Sequence, residues 1–88
     1  MRIISQNGDI SLPAERFVIS VLRSEDATEI IAYDSSERRD YITLGHYRNV
    51  EQAEYEFNRI NIDLANGEKA FLLSEDKEDK EDEYRCDS

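Results

Sequence analysis

The sequence predicts an α+β domain, an antiparallel sheet of about five strands with one helix packed on one face, in an order such as ββββαβ. Three observations predict it. An Asn7-Gly8 pair marks an N-terminal hairpin, a run of β-branched and aromatic residues from Arg16 to Leu22 marks a buried strand, and apolar residues at helical spacing from Val50 to Leu64 mark the helix. The domain is expected to span residues 1–73, with 74–88 a disordered acidic tail.

Asn-Gly suits a two-residue type I′ turn, whose two central positions both need φ > 0, so it should join a strand around Ile3–Ser5 to one around Asp9–Leu12. Pro13 has no amide hydrogen and confines that second strand to an edge or a short length. In the next strand Phe17, Ile19 and Val21 share one face, and Val18 and Leu22 the other. Polar links at 24–27 and 34–40 then separate Thr28–Tyr33 from Tyr41–Tyr47, which reads as an antiparallel meander. On the last strand Ile42 and Leu44 face one way with His46, while Tyr41, Thr43 and Tyr47 face the other; a row of Tyr33, Tyr41 and Tyr47 on the uncovered face is expected.

The helix begins at Asn49, whose side chain can cap the first-turn amides, with Gln52 placed to reach back to the Asn49 amide. Val50, Ala53, Phe57, Ile60 and Leu64 form one stripe, and Asn66-Gly67 supplies the left-handed stop. Lys69–Leu73 should return beside the sheet. The expected core is Ile3, Phe17, Ile19, Val21, Ile30, Ile42, Leu44, Ala53, Phe57, Ile60, Leu64 and Leu72.

Charge narrows the functions available. The 88 residues carry 21 acids and 11 bases, a net −10, which excludes a two-domain enzyme by length and disfavours direct binding to nucleic-acid phosphates. Residues 75–88 alone hold eight acids and three bases, repeat Glu-Asp-Lys and lack an apolar stripe, so they cannot bury enough surface to offset their ordering entropy. The single cysteine, Cys86, permits no internal disulfide and no thiolate metal cluster, and no apolar run approaches the length of a membrane span or a signal sequence. A reducing cytoplasmic setting with no membrane contact and no cofactor is the expectation.

Nothing in the spacing points to catalysis. His46 is the only histidine and is expected to be a packed or edge residue; Gly8, Gly45 and Gly67 are scattered and form no phosphate loop. The Arg38-Arg39 doublet is flanked by Glu37 and Asp40 and reads as a solvated turn. The candidate surface lies elsewhere. Tyr55, Arg59 and Ile62 fall together on the helix face opposite Phe57 and Ile60, offering aromatic area, a guanidinium fork and aliphatic area at one place. With Glu51 and the tail acids Glu75, Asp76, Glu78 and Asp79 they make up the candidate partner-binding set. The competing view is that another part of this small chain covers the helix face.

The opening Met1-Arg2-Ile3-Ile4-Ser5-Gln6-Asn7-Gly8, together with Leu44-Gly45-His46-Tyr47 running into Glu51-Gln52-Ala53, resembles a group of small proteins encoded in phages and prophages of low-GC Gram-positive bacteria. The resemblance covers the pattern of roughly the first 73 residues, leaves out the acidic tail, and implies a phage protein acting inside a bacterial host, with no catalytic residues to carry over. Two function classes follow. In one, a non-enzymatic protein binds and modulates a partner, as an anti-defence inhibitor that offers a nucleic-acid-mimicking acidic surface to a basic nuclease or nucleic-acid-binding protein. In the other, a structural or accessory phage protein self-associates as a homo-oligomer through a sheet edge or the Tyr55, Arg59 and Ile62 face.

Overall fold

The computed structural model describes residues 1–76, the side chains of Glu37 and Arg38 excepted. The elements run β1 (Arg2–Ile4), β2 (Ser11–Pro13), a single 3-10 turn (Ala14–Arg16), β3 (Val18–Arg23), β4 (Thr28–Asp34), β5 (Glu37–Tyr47), α1 (Val50–Ala65) and β6 (Ala70–Leu72). The α+β class is as expected, but the strands form two three-stranded sheets instead of one sheet of about five. The meander β3-β4-β5 is antiparallel throughout. The smaller sheet has the order β2-β1-β6, and β6 lies parallel to β1, with Ile3 opposite Phe71. The division follows from local chemistry: β2 is three residues long and ends at Pro13, and the 3-10 turn after it redirects the chain before β3 begins.

The hairpin forms, but not with a two-residue turn. Ile3 opposes Leu12 and the loop closes where the Ser5 amide donates to the Ile10 carbonyl at 2.8 Å. Gly8 takes φ +82°, whereas among the described residues no non-glycine residue has positive φ, so Asn7 does not adopt the type I′ conformation. Its side chain works instead: Asn7 Oδ1 accepts from the Asp9 amide and from Ser5 Oγ.

β5 starts at Glu37, so most of the expected charged link is strand. Within it Thr43 opposes Ile31 and Gly45 opposes Ile30, which leaves Leu44 as an extra residue in a β-bulge. The bulge reverses side-chain parity beyond it. Tyr47 therefore points inward with Ile42 and is fully buried, not in a row with Tyr33 and Tyr41, and His46 is turned out to solvent.

The core gathers Ile3, Leu12, Ile30, Ala32, Leu44, Tyr47, Ala53, Ile60, Phe71 and Leu73, with Phe17, Ile19, Ile42 and Leu64 packed around it. Val21 and Phe57 are half-buried. Leu72 is 62% exposed, because the parallel register with β1 turns Phe71 inward beside Ile3 and its neighbour outward. On α1 the Asn49 side chain caps the Glu51 amide at 2.8 Å as expected, and Gly67 at φ +76° completes a Schellman stop, with Glu68 N donating to Asp63 O. The helix is rotated relative to the predicted stripe: Ala53, Glu56 and Ile60 are its buried residues.

Candidate partner-binding face

The site is built on α1 and the chain segment that follows β6. From Phe71 to Asp76 the backbone runs back along the helix toward its N-terminus. The Arg59 guanidinium lies 5.3 Å from the Phe71 ring, the Ser74 amide donates to Glu56 Oε1 at 3.1 Å, Gln52 Nε2 donates to the Glu75 carbonyl at 2.8 Å, and the Arg48 amide donates to Asp76 Oδ2 at 3.3 Å. Gln52 thus holds this strap instead of the Asn49 amide. Two of the expected tail residues, Glu75 and Asp76, are bound to the domain, at the helix end where the macrodipole favours negative charge. Glu78 and Asp79 lie outside the described residues, as does everything after Asp76.

Beneath the strap, the Ser74 carbonyl accepts from both the Tyr47 hydroxyl (2.7 Å) and Gln6 Nε2 (3.2 Å). Burial, reinforced by the negative charges of Glu56 and Asp76, raises the Tyr47 phenol well above its usual pKa and keeps it a neutral donor. The same Gln6 amide donates to the His46 carbonyl and accepts from the His46 amide at 2.9 Å, so one side chain joins the two sheets as a strand would. Gly45 makes room for this arrangement. A Cβ there would stand 2.8 Å from Leu73 Cδ2 and 3.0 Å from the Tyr47 ring.

Arg59 is the link between this clasp and the surface. Its guanidinium lies over the Tyr55 ring, at 5.9 Å, as well as over the Phe71 ring, and its Nη1 is 3.9 Å from Glu56 Oε2. Glu56 is buried, and that Oε2 has no hydrogen-bond partner among the described residues, where Arg59 places a positive charge beside it. Tyr55 and Ile62, 55% and 57% exposed, flank Arg59 on the outside of the helix, where the sequence placed them, and Glu51 is exposed one turn before Tyr55. Both side chains keep more than half of their surface in solvent.

His46 lines a shallow cleft of about 170 Å³ with Gln6, Asn7, Ile10, Thr43, Leu44 and Gly45, none of which is an acid or a base that could work with an imidazole. Among the described residues no group of three or more His, Cys, Asp or Glu could hold a metal ion, and no helix is long and apolar enough to cross a membrane.

The residues missed from sequence are those of the clasp: Gln6, Gly45, Tyr47, Glu56 and Ser74. Three of them, Gln6, Gly45 and Tyr47, fall inside residues 1–8 and 44–47. Ser5 and Gln6 organise the hairpin and the sheet junction, and Gly45 and Tyr47 receive the strap, so these segments are occupied with architecture. Compared with protein families, with curated proteins and with solved structures, the chain matches none.

Proposed function

We propose that this chain is a small, non-enzymatic, phage-type protein that acts in the bacterial cytoplasm by binding and modulating a basic, nucleic-acid-handling protein. The contact surface is the outer face of α1, with Tyr55, Arg59 and Ile62 at its centre and Glu51, Glu75 and Asp76 around the helix N-terminus. The observation that carries this reading is the position of Arg59, whose guanidinium lies within cation–π range of two rings and beside a buried carboxylate. An exposed aromatic, arginine and isoleucine set in which the arginine is already ordered loses little side-chain entropy on binding. The net −10 of the chain would hasten encounter with a basic partner and disfavour nucleic acid itself.

The test is capture from lysate of a Gram-positive host with three baits: the full chain, a chain cut after Asp76, and the Tyr55→Ala/Ile62→Ala double variant. A basic nuclease or DNA-binding protein held at low salt, released at high salt and lost with the double variant is the expected result. Equal capture by the double variant would move the contact off the helix, and loss with the cut chain alone would assign it to residues 77–88.

A further inference from the structure

Four strands end the two sheets: β2 and β6 in the smaller, β3 and β5 in the larger. A free edge invites pairing with another chain, and proteins block it with short length, proline, charge or a bulge. Three of these edges are blocked. β2 is three residues long and ends in Pro13, β6 is three residues long, and β5 carries the Leu44 bulge and the Glu37-Arg38-Arg39-Asp40 run. β3 has none of these devices. Its six residues pair with β4 without a break in register, the first five are uncharged, and Arg23 at its end is ion-paired with Glu54 on α1.

The geometry points to β3 as a self-pairing edge, to which a second copy of this chain adds its own β3 antiparallel across a twofold axis at Ser20. The result is one continuous six-stranded sheet. Side chains alternate between faces, so the sheets join smoothly only when residues of the same parity oppose each other. With Ser20 opposite the partner's Ser20, Val18 meets the partner's Leu22 and Leu22 meets the partner's Val18 on the outer face. These two residues are 38% and 39% exposed in the single chain, and the pairing covers each with the other. Ile19 opposes the partner's Val21 on the inner face.

The charges agree with this register. Exposed Arg16, just before β3, comes to the partner's exposed bend at Glu25 and Asp26, and symmetry repeats the contact. Arg23 opposes the partner's Phe17, so no like charges face each other. A joint of six residues is smaller than the roughly 800 Å² per partner of a standard stable interface, so the dimer depends on concentration. The net −10 on each copy opposes it, and salt relieves that repulsion. The inference stands apart from the proposed function, because salt strengthens this contact and weakens that one.

Sedimentation of the full chain over a concentration series at low and high salt tests it. The mass should rise from monomer to dimer, at lower concentration in high salt, and the Val18→Lys/Leu22→Lys variant should remain monomeric with an unchanged circular dichroism spectrum. In a Cys86→Ser background, Ser20→Cys should cross-link to itself on mild oxidation and Tyr55→Cys should not. A monomer at every concentration, a dimer indifferent to Val18→Lys/Leu22→Lys, or cross-linking at Tyr55→Cys in place of Ser20→Cys would overturn it.

Discussion

The clasp around Ser74 and the outer surfaces of α1 and β3 use the same kinds of residue in opposite ways. At the clasp a glutamine, a tyrosine and a glutamate are turned inward and hydrogen-bonded to backbone, and together they hold two sheets and a strap in one body. On the outer surfaces Tyr55, Ile62, Val18 and Leu22 keep between a third and about three-fifths of their area in solvent. The difference shows where recognition should be sought. The segments with the strongest sequence pattern are consumed in building the fold, and the faces left for a partner carry no sequence motif.

α1 allows this comparison within one element, since its inner face belongs to the core and its outer face to solvent. Ile60 is fully buried, and Ile60→Ala should cost about 2–5 kcal/mol, measured as a lower urea midpoint with the slope unchanged. This is the largest effect expected from a single truncation. Gly45→Ala comes next. The added methyl must displace Leu73 and the Tyr47 ring, both buried, and overpacking of that kind costs roughly 1–3 kcal/mol. A loss below a few tenths would mean that the strap yields easily and that the clasp is looser than its hydrogen bonds suggest.

Tyr47→Phe removes one hydrogen bond while Gln6 still donates to the Ser74 carbonyl, so a loss of about 1 kcal/mol is expected at neutral pH. Alkali gives a sharper readout. The folded pKa of Tyr47 is raised, so the group's contribution is intact below the unfolded-state value of about 10. Above that pH the unfolded chain loses a proton that the folded chain keeps, and stability should fall by about 1.4 kcal/mol per pH unit. Tyr47→Phe should abolish that slope. Urea midpoints of both proteins from pH 9 to 11 check this, and parallel declines would show that the phenol titrates alike in the two states.

Much of the fold was legible because periodicity survives locally: the meander, the Asn49 cap and the Gly67 stop each depend on a few adjacent residues. What was hidden depends on one-residue events or distant partners. The Leu44 bulge changes the facing of Tyr47 and His46, and strict alternation cannot foresee an extra residue. The parallel pairing of β6 with β1 joins the two ends of the described chain and turns Leu72 outward in place of Phe71. Local spacing does not mark Glu56 as a buried acid, because its partners, Ser74 and Arg59, belong to a separate strap and to the next helical turn. The outer helix face was legible, since a 100° step per residue places Tyr55, Arg59 and Ile62 together whatever covers the opposite side.

That face yields the smallest expected change in stability and the most informative one. Exposed side chains away from caps and buried networks can usually be truncated within about 0.5 kcal/mol, so Tyr55→Ala and Ile62→Ala should leave the urea midpoint nearly unchanged. Arg59→Ala should cost more than either, because it removes a positive charge beside a buried carboxylate oxygen that has no hydrogen-bond partner among the described residues. Adding Glu56→Gln to Arg59→Ala should recover part of that loss, since the amide takes the charge out of the interior. If Arg59→Ala proves as mild as its two neighbours, the guanidinium is a surface group free to serve a partner. If it is costly and Glu56→Gln relieves it, Arg59 belongs first to the clasp, and a binding partner would have to engage it in the position the fold already imposes.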